Sequence, residues 1–166
     1  MKRFLLFAVS LCITALCFAD PAEGYWLSLD SKTNKPNAGW YVYVKDSVLY
    51  GKMLSSPGSA KDKVASNCKS SYKNYPLSGD VSKMKIFNEV LWVYGLKMSK
   101  TGVWDGGTII DPQSKNGASY SCTITFHAAD GKKYKVDTLE VYGGLGPVGR
   151  TSIWQRTDEA TASAMW

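Results

Sequence analysis

The sequence predicts an all-β fold, either a closed up-and-down barrel or a sandwich, on three observations. Eight short stretches rich in β-branched and aromatic residues follow one another, and no helical pattern of any length separates them. Turn-forming residues stand between the stretches. An indole in the first stretch, Trp26, and a guanidinium in the last, Arg156, can meet only if the sheet curls and closes. The third observation favours the closed barrel.

The eight predicted strands fall into two groups on either side of a long irregular stretch, 55–83. In the first group, Asp46 and Ser47 separate two β-rich runs, which predicts a tight hairpin. Near the end of the chain, Gly144 to Gly149 has the glycine spacing of a dinucleotide site, but strand formers follow it, so it predicts a hairpin turn. The predicted strands are 25–30, 40–45, 48–54, 90–97, 103–110, 119–127, 134–142 and 149–156.

Alternation of side chains predicts which face of a strand lies inside. The clearest case is 119–127, in which one face is apolar and the other carries serine, threonine and His127. The stretch 134–142 changes phase part-way, which predicts a bulge near Asp137 and Thr138. The inward face of 119–127 is formed by Tyr120, Cys122, Ile124 and Phe126.

The start of the chain predicts a cleaved signal peptide, 1–19, and therefore export. Lys2 and Arg3 form a short positive region, and an almost entirely apolar run follows it. Small residues then stand at the outer and inner positions of a cleavage site before Asp20. We therefore expect a periplasmic or secreted protein.

A lipoprotein acylated at Cys17 is the competing interpretation, although Leu16 is a poor residue before a lipid-bearing cysteine. After cleavage, 147 residues, 20–166, are enough for a single domain with its own core. The predicted strands mostly run shorter than the roughly 9–11 residues of membrane-spanning strands, so membrane insertion is not expected.

The modest net charge and the small number of potentially catalytic side chains argue against several classes of function. Losing Lys2 and Arg3 lowers the formal charge from +6 to +4, and no block of like charge exceeds two residues, so nucleic acid is not an expected partner. The single histidine, His127, lies on a polar face beside a turn, where we expect it to be solvated. No pair of carboxylates indicates acid–base chemistry. We therefore expect no enzyme activity, no cofactor and no metal site.

Two cysteines remain after cleavage, Cys68 and Cys122. An even pair in an oxidising compartment favours a disulfide between them. The inward position of Cys122 leaves two buried free thiols as the alternative.

Several motifs together resemble one family of small exported bacterial proteins. Residues 104–120, W-D-G-G-T-I-I-D-P-Q-S-K-N-G-A-S-Y, and residues 149–156, G-R-T-S-I-W-Q-R, carry the resemblance, which is to domain-of-unknown-function family 2147. The resemblance implies a lipocalin-like, eight-stranded antiparallel up-and-down barrel with an internal cavity, one long loop and a short C-terminal tail. It implies no established reaction or ligand.

Two sets of residues are candidates for roles in such a barrel. Closure of the barrel end is assigned to Arg156 with Trp26 and Trp154, since arginine stacks well on indole. Arg150 lies on the same strand face and is the candidate contact for a ligand carboxylate or phosphate. Each aromatic residue of the pocket could equally be plain core. The predicted ligand-binding residues are Tyr43, Trp92, Tyr94, Trp104, Tyr120 and Arg150.

Two functions are compatible with these residues. The first is an exported, non-enzymatic binding protein that holds a small hydrophobic or amphiphilic ligand, including an anionic one, in the barrel. The alternative is a solid barrel that docks a cell-envelope partner through the basic loop 55–75, which could also serve as a lid. In that loop only Asp62 opposes four lysines, namely Lys61, Lys63, Lys69 and Lys73.

Overall fold

The computed structural model describes residues 20–166 and shows a closed barrel of eight antiparallel strands. The predicted signal peptide, 1–19, lies outside the described residues. The barrel, rather than the sandwich, is confirmed, because β1 pairs with β2 on one side and with β8 on the other. The strands are β1 Gly24–Leu29, β2 Pro36–Lys45, β3 Val48–Ser55, β4 Leu91–Lys100, β5 Val103–Ile110, β6 Ser119–His127, β7 Thr138–Leu145 and β8 Val148–Thr157, with helix α1 at Glu159–Ser163.

Strands that run alternately up and down place their connections at two opposite ends of the barrel. We call them the base end, where β1 begins and β8 ends, and the mouth end, where β7 turns into β8. The long connection 56–90 joins β3 to β4 at the mouth end. The other mouth-end connections are 30–35, 111–118 and the tip of the β7–β8 hairpin.

The predicted two-residue hairpin joins β2 to β3 at the base end. Asp46 and Ser47 have φ angles of 52° and 61°, both in the left-handed region. Two central residues with positive φ match the right-handed twist of the flanking strands, which is why short polar residues occupy these positions.

Strand β7 differs from its prediction in position and in regularity. It begins at Thr138 rather than at Tyr134, and its pairing with β6 runs without a register shift, so the predicted bulge is wrong. The carboxylate of Asp130 accepts hydrogen bonds from the backbone N–H groups of Lys132 and Tyr134. Because of this turn, residues 134–137, which the sequence assigned to the strand, lie outside it.

The base half of the barrel is filled by a tightly packed core. Its members come from alternate positions of seven strands, as expected when one face of each strand points inward. This packing closes the base and leaves the interior space to the mouth half. The buried side chains of the base half include Trp26, Val42, Leu49, Leu96, Trp104, Ile124 and Leu139.

The connection 56–90 is packed against the barrel rather than freely solvated. It contains a 3-10 turn at Val81–Lys83 and a β-bridge between Val64 and Lys85. Its buried apolar side chains are Ala65, Val81, Phe87 and Val90.

The short C-terminal tail returns along the outside of the barrel. Asp158 caps α1 by accepting a hydrogen bond from the backbone N–H of Thr161 at 2.7 Å. The helix then packs against β2 at Gly39, where a side chain would collide with the backbone of Ala162. The hydroxyl of Ser55 donates to the carbonyl of Ala162, which fixes the tail to β3.

Candidate functional site

A cavity of about 1100 Å³ occupies the mouth half of the barrel. Its inner walls come from all eight strands, and its rim comes from the mouth-end connections. Large aromatic and aliphatic side chains come from the strands, whereas the polar side chains of the lining come mainly from the mouth-end connections. The larger wall residues are Trp40, Met53, Ile86, Trp92, Ile109, Tyr120, Val141 and Trp154.

Two stacked indoles form one side of the cavity. The rings of Trp40 and Trp154 lie 4.4 Å apart between centroids, with an interplanar angle of 20°. The indole N–H of Trp40 donates to the hydroxyl of Ser28 at 2.9 Å, and that of Trp154 donates to Ser152 at 3.0 Å. Because both polar atoms are satisfied within the protein, the surface that these rings offer to a ligand is apolar.

Trp92 completes the apolar wall from the side of β4. Its indole N–H donates to the backbone carbonyl of Ile86 at 2.8 Å. This hydrogen bond ties the end of the 56–90 connection to a cavity residue. Tyr120 on β6 and Val141 on β7 lie on the cavity wall as well.

Arg150 supplies a positive charge at the rim. On the inward face of β8, Arg150, Ser152 and Trp154 all line the cavity. Among residues 20–166, the Arg150 guanidinium forms no ion pair with Asp or Glu. Lys63 on the facing connection lines the same rim. Both cations are therefore available to an anionic group.

The two carboxylates beside the cavity are engaged in turns. Asp111 accepts a hydrogen bond from the backbone N–H of Gln113 at 2.9 Å. Asp30 accepts hydrogen bonds from the backbone and hydroxyl of Thr33, which hold the pKa of its carboxyl below the usual range. Both carboxylates therefore shape the rim connections through hydrogen bonds within their own turns.

Three of the six predicted ligand-binding residues, Trp92, Tyr120 and Arg150, line the cavity. The prediction is wrong for Tyr43, which lies on the outer surface of β2. Its ring stacks between Tyr41 at 5.4 Å and Tyr50 at 5.5 Å. Both faces of β2 carry aromatic rings, so the presence of aromatic residues alone did not show which face is inside.

The placement of Tyr94 and Trp104 is also corrected. Tyr94 packs edge-on against Tyr75 at 5.1 Å, and its hydroxyl donates to the carbonyl of Lys73, because the 56–90 connection covers this part of β4. Trp104 is buried in the base half, opposite Ile124. Cavity residues that sequence reasoning missed are Trp40, Met53, Ile109 and Val141; only Trp40, which alternates in phase with Val42, gave a usable signal.

Arg156 sits at the base end, where its guanidinium lies 4.1 Å from the ring centroid of Trp26. It also pairs with the carboxylate of Asp137 at 3.1 Å and donates to the backbone carbonyls of Glu23, at 2.9 Å, and of Pro21. The assignment of Trp154 to this closure is corrected. Trp154 lies two residues nearer the mouth and forms the cavity wall.

The predicted disulfide is not formed, and Cys68 and Cys122 are both free thiols. Cys122 is enclosed in the wall of the barrel, between Gly107 on β5 and Gly143 on β7. Cys68 belongs to the 56–90 connection and lies at the rim of the cavity. Burial raises the pKa of both thiols, so neither is a ready nucleophile.

His127 is not the solvated strand-end histidine that we expected. Its ring stacks on Tyr134 at 4.4 Å, and its Nε2 lies 3.5 Å from a carboxylate oxygen of Glu140. The Tyr134 hydroxyl donates to the same carboxylate at 2.6 Å, and the Lys133 ammonium lies 3.4 Å from it. These contacts lower the pKa of Glu140. The cluster lies on the outer surface at the base end, away from the cavity.

Groups of metal-ligating side chains are missing from the part of the chain that the structure describes. Among the same residues, no helix is both long enough and apolar enough to span a membrane.

The closed eight-stranded antiparallel barrel with a cavity at one end is a lipocalin-like fold. Comparison with solved structures agrees on the fold: protein HP1028 from Helicobacter pylori, described as belonging to the lipocalin family, superposes with a TM-score of 0.62. The two chains are 14% identical, and the match covers 86% of this chain and 87% of the other.

The particular family follows from the sequence match. The chain belongs to the family described as "Uncharacterized protein conserved in bacteria (DUF2147)", which it matches over residues 24–156. This confirms the resemblance drawn from the motifs. No curated protein matches the chain.

Proposed function

We propose that this protein is an exported, non-enzymatic binding protein that holds one small amphiphile in its barrel. The apolar part of the ligand lies between the indoles, and an anionic head meets Arg150 at the rim. The observation that carries the proposal is the cavity of about 1100 Å³, with an apolar wall and a guanidinium without an ion-pair partner among the described residues. Ligand pockets are typically about 300–1,000 Å³, so a single small lipid or hydrophobic metabolite fits.

The wall favours an apolar ligand body rather than a polar one. A sugar or nucleotide needs several free hydrogen-bonding groups deep in its site, whereas Trp40, Trp92 and Trp154 use their N–H groups within the protein. An acyl chain or a ring system gains from contact with the indole faces without losing hydrogen bonds.

The rim favours a negative head group. Arginine pairs with a carboxylate or phosphate through two parallel hydrogen bonds, and no Asp or Glu among residues 20–166 pairs with Arg150. Lys63 adds a second cation on the opposite side of the rim.

The alternative function, a solid barrel that docks a partner through loop 55–75, has weaker support. A barrel with a cavity of this size is not solid. The tyrosines of the loop, Tyr72 and Tyr75, pack against the barrel core instead of facing outward. The tyrosine hydroxyl of Tyr75 also accepts a hydrogen bond from the backbone N–H of Leu91.

The test compares a fluorescent fatty acid with the matching alcohol, which has the same chain and no charge. We expect saturable binding of both, with the acid preferred. Arg150→Gln should weaken binding of the acid by about tenfold, the equivalent of ~1.4 kcal/mol, and leave the alcohol unchanged. Lys132→Gln on the base-end loop serves as the control that removes a distant positive charge.

Two results would count against the proposal. Absence of saturable binding by either probe overturns the binding function. Equal affinity for acid and alcohol in both wild-type protein and Arg150→Gln overturns the role of Arg150 while leaving the apolar site.

A further inference from the structure

The charges of the barrel are divided unequally between its ends. The mouth-end segments carry ten Lys and Arg and five Asp and Glu, a net side-chain charge of +5. The base-end segments carry seven Lys and Arg and nine Asp and Glu, a net charge of −2. The mouth-end segments are 30–35, 56–90, 111–118 and 144–150. The base-end segments are 20–24, 45–48, 97–105, 128–140 and 156–159.

The most exposed large apolar side chains lie on the positive end. Leu145 is 68% exposed and Val148 is 77% exposed, and the two flank the tip of the β7–β8 hairpin. Across the rim, Val64 is 44% exposed. All three line the cavity as well, so the apolar surface continues from the rim into the ligand site.

We propose that the mouth end docks on the surface of an anionic lipid bilayer, with Leu145 and Val148 inserted among the lipids. The cavity would then open directly against the membrane. This adds a docking surface to the binding function proposed above and names the bilayer as the place where ligand enters or leaves.

Charge complementarity commits the surface to an anionic bilayer. Lys and Arg near a membrane surface are attracted by anionic head groups, and apolar side chains on a narrow tip can enter the interfacial layer beside them. The hairpin tip projects two apolar side chains without forming a groove that would receive a peptide or a helix. The negative base end is repelled by the same surface, so the charges orient the barrel with its mouth toward the lipid.

The rim lysine and the hairpin act together in this arrangement. Lys63 and Arg150 stand beside Val64 and Leu145 on the cavity rim. An amphiphile that moves from the bilayer into the cavity with its apolar tail first passes the apolar tip. Its charged head stays near Lys63 and Arg150 during this movement. Charge therefore attracts the barrel, and the apolar tip anchors it.

The test measures co-flotation of the full mature chain with vesicles of phosphatidylcholine mixed with phosphatidylglycerol, and with phosphatidylcholine alone. We expect binding to the mixed vesicles that weakens as salt is raised. Exchanging both tip residues, Leu145→Ser with Val148→Ser, should lower the partition constant by about tenfold or more, because two apolar side chains no longer enter the lipid.

The matched control removes two exposed apolar side chains from the negative base end. Met98 and Val136 are 46% and 39% exposed, and Met98→Ser with Val136→Ser should leave vesicle binding unchanged. The docking proposal is overturned if neither vesicle binds, if both double variants bind alike, or if sedimentation shows that the tip instead joins two copies of the chain.

Probe binding without vesicles separates this proposal from the proposed function. The wild-type chain in solution should bind the fluorescent fatty acid whether or not it floats with vesicles. Retained probe binding with no flotation overturns docking alone, whereas tip-dependent flotation without any probe binding supports docking and overturns the ligand function.

Discussion

At the scale of single residues, Arg156 shows how one side chain joins parts of the chain that are far apart in sequence. It stacks on Trp26, pairs with Asp137 and donates to carbonyls of the segment before β1. The sequence predicted the stacking from the types and positions of the two residues. It could not predict the partner carboxylate, because Asp137 belongs to a stretch that was assigned to a strand.

The cluster around Glu140 leads to a prediction about acid stability. Hydrogen bonding from Tyr134, with the nearby Lys133 and His127, lowers the pKa of Glu140 in the folded protein. A lowered pKa stabilises the fold above the ordinary glutamate value of about 4.3, and this contribution is lost as the pH falls through the lowered pKa.

We therefore expect Glu140→Gln to reduce the free energy of unfolding by about 1 kcal/mol at neutral pH, since it removes a partly exposed charge and keeps the shape. Denaturant unfolding at a series of pH values should show the two proteins converging in acid. As the control, Asp105→Asn removes a carboxylate without an ion pair among the described residues and should leave the free energy of unfolding at neutral pH nearly unchanged. A deficit that persists unchanged into acid would contradict the account.

At the scale of secondary-structure elements, alternation and turn residues predicted most strands and the β2–β3 hairpin. The predictions are wrong where contacts with a neighbouring segment determine where a strand begins or which side chain is buried. Strand β7 starts late because Asp130 organises a turn before it. Likewise, Tyr94 is buried outside the barrel because the 56–90 connection covers it, and no local pattern in β4 records this cover.

The C-terminal helix depends on a single missing side chain in β2. A β-carbon at Gly39 would lie 1.8 Å from the carbonyl oxygen of Ala162. We expect Gly39→Ala to destabilise the protein by roughly 1–3 kcal/mol and to release the tail to proteolysis. In a chain that lacks residues 158–166, the same substitution should cost almost nothing. An equal cost in both chains would show that Gly39 is needed for another reason.

At the scale of the whole molecule, the sequence predicted the barrel fold more completely than the residues that line the cavity. The closed barrel follows from the number of strands and from the two ends that must meet. The cavity wall depends on register around the barrel, which brings Trp40, Trp92 and Trp154 together from three separate strands. The formal charge of +4 over residues 20–166 is likewise divided between a positive mouth and a negative base, because the topology places the connections at two different ends.

The central claim is that the space inside the barrel, rather than the aromatic outer surface, binds the ligand. Two tyrosines test it directly, since Tyr120 lines the cavity and Tyr43 lies in the stacked row outside. The measurement is a titration of a fluorescent fatty acid, followed by energy transfer from tryptophan, on Tyr120→Ala and Tyr43→Ala. We predict one site per chain, with binding weakened about tenfold in Tyr120→Ala and unchanged in Tyr43→Ala. Equal weakening in both variants, or a loss confined to Tyr43→Ala, would contradict the account.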